Sequence, residues 1–310
     1  MRLGLLVLCL ALLGPFLGEY GLKLLSEALI LGLYAMAFNL LFHQAGLLSF
    51  GQAAFFGVGA YAMALLMARS GWSFLATLPL AFLLGGAAAF LVGFLSLRLT
   101  RIYFTMLTLA FAQLLYAVAH KWYAFTGGDN GITDLRPAGP WGESLAFYYL
   151  TLGLFGLLVG LLASLERSPF GYALRALRDN RARAEAVGLD GFRHLLLAFA
   201  LAGAISGVAG ALQGALQRSV FPDYLFWTRS AEAIISTILG GSGVFLGPAV
   251  GAAAFLFLRV LVQAQTEYWP FFLGLLLLLM VLFFPRGLAG VWARLGRGIS
   301  LGVERGAPRG

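Results

Sequence analysis

The stretch FLATLPLAFLLGGAAAFLVGFLSL, residues 74–97, contains no charged residue and is closed by Arg98. A helix needs about 20 predominantly apolar residues to cross the hydrocarbon of a bilayer, and this run supplies them. Similar apolar runs fall on either side, at roughly 3–18, 24–42, 50–68, 102–119, 146–165, 194–217, 228–240, 248–264 and 270–285. The first and eighth are short. The runs are continuous, without the period-two alternation of an outer-membrane barrel. They predict an all-α membrane protein, a polytopic bundle of about ten transmembrane helices forming one domain over residues 1–310.

Composition agrees. Of 310 residues, 61% are hydrophobic and 11% charged; the mean hydropathy is +0.89. Soluble domains carry about a quarter charged residues, so a soluble enzyme, a disordered chain and a nucleic-acid-binding domain are excluded. The net charge of +8 does not imply a nucleic-acid partner, because the charges sit in short loops between spans. A single cysteine, Cys9, excludes an internal disulfide and a thiolate cluster. His43, His120 and His194 are scattered near expected helix ends, so no metal site is expected. Arg2 before the first run also fits a secretory signal. The run is read here as a retained span, and Leu8 is too large to precede a lipoprotein cysteine at Cys9.

Positive charge sets direction. Arg2, Arg98, Arg101, the loop arginines 167, 175, 178, 181, 183 and 193, and the tail arginines 286, 294, 297, 305 and 309 all fall on one side of a ten-span model. That side is the cytoplasm, with both termini inside and a tail over 286–310. Lys23, Arg69, Lys121, Arg136, Arg218 and Arg229 fall outside. Glycines recur at small-xxx-small spacing, as Gly203/Gly207, Gly210/Gly214, Gly156/Gly160 and Gly243/Gly247/Gly251. Such spacing lets helix backbones approach closely in lipid.

Two connections stand out. Residues 120–145 hold Thr126-Gly127-Gly128-Asp129-Asn130-Gly131, whose Gly and Asn-Gly steps favour tight turns. Residues 167–193 form the long cytoplasmic connection. Ser168-Pro169 is a helix start, Phe170, Ala173, Leu174 and Leu177 share a face, and Gly188 signals an end. Arg175/Asp179 and Arg181/Glu185 are spaced as i,i+4 ion pairs. Glu166, Asp179, Glu185 and Asp190 offset the arginines, which favours a cytoplasmic protein dock over anionic lipid alone.

Ionisable groups are scarce at depth. Glu27 and Glu232 lie near span starts, and Arg259 falls within the ninth run but within snorkelling reach of the external side. No proton relay, phosphate-binding G-x-x-x-x-G-K-[ST] segment or H-E-x-x-H is present. Ser206 lacks the G-x-S-x-G order and a histidine at its depth. Neutral polar residues are more numerous: Asn39, Ser49, Gln52, Thr105, Thr108, Gln113, Ser206, Gln213, Ser236 and Thr237. They suit a pathway for a polar, weakly charged solute. The run Gly46-Leu47-Leu48-Ser49-Phe50-Gly51-Gln52 at a span start could expose backbone to a cavity, as broken helices do. Asn39, Ser49, Gly51, Gln52, Thr105 and Gln113 are the candidate pathway residues. A stand-alone channel or secondary carrier remains the alternative class on these grounds.

The segments GLLSFGQAAFFGVGAYAMALL (46–66), TGGDNGIT (126–133), SPFGYALRALRDNRARAEAVGLD (168–190), FALAGAISGVAGAL (199–212) and GGSGVFLGPAVGA (240–252) together resemble the permease subunits of branched-chain amino acid ABC importers, of the M type. The resemblance implies a non-enzymatic transport subunit of the cytoplasmic (inner) membrane that binds no cofactor itself. Its partners would be a second permease, two cytoplasmic ATPase subunits and an extracytoplasmic binding protein. The resemblance also implies that Phe170, Leu174, Arg175, Leu177, Arg178, Asp179, Asn180, Glu185 and Gly188 couple to the ATPase. Gly127, Gly128, Asp129 and Asn130 would then receive the binding protein. Urea and short-amide permeases carry much the same motifs, and the sequence does not separate these substrates.

Overall fold

The computed structural model describes residues 2–265 apart from 100 and 138, together with 268, 271, 272, 274, 275, 278, 287 and 288. The last expected span, 270–285, and the arginine-bearing tail lie largely outside the described residues. Among those residues every element is helical except one antiparallel bridge between Ile132 and Val220. The helices are α1 (Arg2–Leu13), α2 (Glu19–Asn39), α3 (Gln52–Ser70), α4 (Phe74–Ser96), α5 (Arg101–Lys121), α6 (Tyr123–Thr126), α7 (Ser144–Glu166), α8 (Pro169–Asp179), α9 (Arg181–Ala186), α10 (Gly191–Gln217), α11 (Trp227–Gly240) and α12 (Gly247–Gln263).

Among the described residues six helices are long and apolar enough to cross a membrane: α2 with its extension to Ala45, α3, α4, α5, α7 and α10. The chain is a multi-pass membrane protein. Three apolar runs of the sequence form shorter helices, α1, α11 and α12, of 12, 14 and 17 residues. At 1.5 Å per residue, α11 spans about 21 Å, well short of the ~30 Å hydrocarbon core. It is a half-helix, and its placement beside the start of α3 defines the site below.

Helices α2 and α10 form the centre. Both are mostly buried, and α10 packs against α2, α3 and α4 while α2 packs against α7, α10, α11 and α12. Outer faces carry exposed Leu83, Leu91, Met106 and Leu157, an arrangement suited to lipid contact. The close approach of α3 to α10 depends on glycine: a Cβ at Gly210 would lie 1.8 Å from the Phe56 carbonyl oxygen. Gly203 and Gly207 lie against α4 in the same way, and Gly214 lies against the side chains of Val220 and Met63. The Gly156/Gly160 pair departs from the expectation. Among the described residues a Cβ at Gly160 would meet nothing within 4 Å and one at Gly156 only Val7 of α1 at 3.5 Å, so no described helix packs backbone-close on this pair. Large aromatics fill the remaining centre, with Phe55 edge-on to Phe199 at 5.4 Å and Tyr34 against Phe56 at 4.8 Å.

Gly210→Ala is expected to destabilise the protein by about 1–3 kcal/mol through overpacking against an unyielding backbone. Gly160→Ala leaves stability unchanged or slightly raises it, since alanine favours the helix. Thermal melting of the two variants in detergent checks this.

Candidate functional site

Helix α2 widens at its end into a π-helical turn over Leu40–Ala45, which terminates at Gly46 in the left-handed region, φ +68°. The chain then runs through residues 47–51 without regular structure before α3 begins at Gln52. This start lies inside the bundle. Gln52 meets Ser206, midway along α10, and Phe50 meets Thr108, a third of the way along α5. Backbone groups freed at such a depth cannot turn to water, and each needs a protein partner.

Side chains supply the partners. Ser230, on the first turn of α11, accepts from the Ala53 N–H at 2.8 Å and donates to the Phe50 carbonyl at 2.7 Å. Thr108 accepts from the Phe50 N–H at 3.3 Å and donates to the Thr105 carbonyl at 2.9 Å. Thr105 donates to the Leu48 carbonyl at 2.9 Å, and Ser49 Oγ accepts from the Gly51 N–H at 3.1 Å. Ser206 Oγ stands 2.8 Å from both Gln52 Oε1 and the Ala202 carbonyl. Its single proton serves one at a time. Gln52 Nε2 is buried with no partner. Four of the candidate pathway residues, Ser49, Gly51, Gln52 and Thr105, thus converge with Thr108, Ser206 and Ser230. Asn39 lies elsewhere, with Nδ2 3.4 Å from the Ser242 carbonyl at the α11–α12 connection. Gln113 stands two turns further along α5, its Nε2 also buried without a partner. The sequence reading missed Ser230; its only signal was a polar side chain opening a run too short to span.

A second cluster corrects the view of Arg259 as a lone, snorkelling charge. Its Nη2 lies 2.8 Å from Glu27 Oε1 and its Nη1 3.5 Å from Glu232 Oε1. Glu232 also pairs with Arg229 at 2.8 Å, and Arg229 stacks over Tyr224 at 5.3 Å. The four charged side chains are 15–22% exposed. The cluster joins α2, α11 and α12 and flanks Ser230 in sequence. Three separate segments contribute to it, so local spacing marks only its Arg229–Glu232 pair, at i,i+3.

At the connection between α7 and α10 the helix start is as expected: Ser168 Oγ accepts from the Gly171 N–H, with Pro169 first in α8. The apolar face turns inward. Ala173, Leu174 and Leu177 are buried and Phe170 is half-buried against the core. Arg181 and Glu185 pair at 2.8 Å as expected. The expected Arg175–Asp179 pair does not form. Arg175 donates to the Glu166 carbonyl at 3.0 Å and lies over Tyr172, while Asp179 pairs with Arg178 at 3.0 Å. Arg178 also donates to the His43 carbonyl at the π-helical turn, and Gln44 beside it bonds Glu166. Asn180 caps α9 by accepting from the Arg183 N–H at 3.0 Å, and Gly188 takes φ +94° after it. The surface left open on α8 and α9 includes Tyr172, Asp179, Asn180, Arg183 and Val187. Tyr172 and Val187 were not singled out by the sequence.

At the opposite end, Gly127 and Gly128 take positive φ, and Asp129 and Asn130 are exposed. Asp129 meets His120 at 3.1 Å. Ile132 exchanges two 2.9 Å backbone hydrogen bonds with Val220, and the Leu135 N–H donates to the Arg218 carbonyl at 3.0 Å. The loop is therefore fastened to the segment after α10. Among the described residues no group of three His, Cys, Asp or Glu side chains converges as a metal set.

Residues 21–281 match the family model described as the branched-chain amino acid transport system / permease component. The high-affinity branched-chain amino acid transport system permease protein LivM of Salmonella typhimurium is 30% identical, over 91% of this chain and 73% of that protein. LivM of Escherichia coli is 31% identical over the same shares. No solved structure matches.

Ser230→Ala strands two buried backbone groups at the start of α3. We expect a loss of about 1–3 kcal/mol, read as a lowered melting temperature. Ser164→Ala on the exposed face of α7 changes stability by less than about 0.5 kcal/mol.

Proposed function

The chain belongs to the branched-chain amino acid transport permease family, and from that premise we propose that it carries branched-chain amino acids across the inner membrane as one of two permease subunits of an ATP-driven importer. The family match along most of the chain carries this reading. An extracytoplasmic binding protein delivers the solute to the loop at Gly127–Asn130. Two cytoplasmic ATPase subunits supply the energy, and this chain binds no cofactor and performs no catalysis. The orientation follows the arginines: both termini and α8–α9 face the cytoplasm, in a bundle of about ten spans once the short helices and the last apolar run are included.

The geometry gives this reading a physical route. The inward face of α8 fixes it to the bundle, and its outward face is charged and open to a motor subunit. Arg178 joins α8 to the π-helical turn of α2. That turn leads through Gly46 directly into the irregular segment that opens α3. A push on α8 therefore reaches the polar centre through one short stretch of chain. The neutral hydroxyls and amides there suit a solute that must bind weakly enough to leave.

The test is purification from the native membrane in mild detergent followed by reconstitution. ATPase subunits and a second permease should co-purify, and the assembly should take up leucine, isoleucine or valine only with ATP and the binding protein. A chain that purifies alone and conducts solute without ATP refutes the reading. In the assembled importer Arg178→Ala should retain the ATPase subunits and lose at least about 90% of uptake per ATP hydrolysed, the scale expected for one charge-assisted hydrogen bond. Full coupling in that variant would place the route elsewhere.

A further inference from the structure

Within the ion-pair cluster two polar atoms are buried and without a partner: Arg259 Nε, a donor, and Gln213 Oε1, an acceptor. They belong to side chains that share one carboxylate. Arg259 Nη2 lies 2.8 Å and Gln213 Nε2 3.5 Å from Glu27 Oε1. Gln213 is 1% exposed. Buried polar groups are satisfied in nearly all native structures, so an open donor and an open acceptor on two side chains that meet one carboxylate call for a ligand that supplies the opposite of each.

Stability does not account for the cluster. Ionised groups in a membrane are costly, and apolar residues of similar volume hold helices at least as well as buried ion pairs. A bound solute does account for it. We propose that Glu27, Gln213 and Arg259 form a transit site for the zwitterionic head of an amino acid. This inference rests on the amino acid reading of the permease and deepens it. The guanidinium of Arg259 takes the α-carboxylate, whose planar pair of oxygens fits the guanidinium fork. Glu27 and Gln213 Oε1 take the α-ammonium. In the conformation seen, Arg259 and Glu27 neutralise each other. A zwitterion entering between them replaces one ion pair by two, and its departure restores the original pair. No net charge is stranded at either stage, which keeps the site shallow enough to release its solute. The arrangement also separates two substrate classes that share the family's motifs: urea and short amides carry no opposed charges to exchange. Glu232 and Arg229 complete the neutrality of the cluster and hold Arg259 from its other side.

The test uses the complete importer in proteoliposomes, measuring leucine uptake and binding-protein-stimulated ATP hydrolysis together. Gln213→Leu leaves the Arg259–Glu27 pair in place and removes the open acceptor together with the long 3.5 Å amide contact to Glu27. Glu27→Gln and Arg259→Gln each remove one charge, and the double exchange Glu27→Arg/Arg259→Glu restores a pair with its polarity reversed. We expect all four to assemble and to hydrolyse ATP when stimulated. Uptake should fall by about thirtyfold or more in the charge variants and by about tenfold in Gln213→Leu, with no rescue by the double exchange. Rescue by the exchange makes the cluster a structural clamp and overturns the inference, as does wild-type uptake by Gln213→Leu together with Arg259→Gln. An unmodified importer that moves urea or an amide but no amino acid overturns the substrate reading itself, and is seen before any variant is made.

Discussion

A helix that starts inside a membrane must find partners for its first backbone groups among its neighbours, because lipid offers none. This requirement organises the centre of the protein. The segment before α3 is irregular, and Ser230, Thr108, Thr105 and Ser49 bond its backbone from three directions. Meeting it brings α5 and α11 to fixed positions on α3, and α11 must itself begin at the same level to present Ser230. Two interrupted helices facing one another are thus one structural solution, and a polar centre follows from it.

The second consequence concerns charge. The half-helix α11 carries Arg229 and Glu232 on either side of Ser230, so the serine that seats α3 also sets two charges within the bundle. Glu27 on α2 and Arg259 on α12 complete a neutral group of four. The hydroxyl cluster and the charged cluster thus share the first two turns of α11, through Ser230 on one side and Arg229 and Glu232 on the other.

Much of this was legible in the sequence, and the illegible part has a common physical cause. Membrane location, helical class and the start of α8 at Ser168-Pro169 rest on composition and on interactions within one turn, which a sequence displays. The broken start of α3 was visible for the same reason, in Gly46, Ser49 and Gly51. Pairings between distant segments were not. Arg259 looked solitary because Glu27 is 232 residues away, and Arg175 was assigned to Asp179 by spacing although the Glu166 carbonyl and the ring of Tyr172 take it instead. Ser230 was unremarkable until its two backbone partners, 177 and 180 residues distant, were seen. Gly160 shows the converse error: its spacing from Gly156 commonly marks a helix contact, yet among the described residues nothing lies within 4 Å of a Cβ placed there.

The bridge between Ile132 and Val220 has a further consequence. Two backbone hydrogen bonds join the connection after α5 to the one after α10, closing a loop that contains α7, α8, α9 and α10. The rim at that end is consequently a preformed surface rather than a set of independent loops. A protein that settles on it has little conformational entropy to remove from it, and such prior order raises affinity without enlarging the contact. A partner at that face would meet a shape set in advance by the bridge, with Asp129 and Asn130 as two exposed polar points on it.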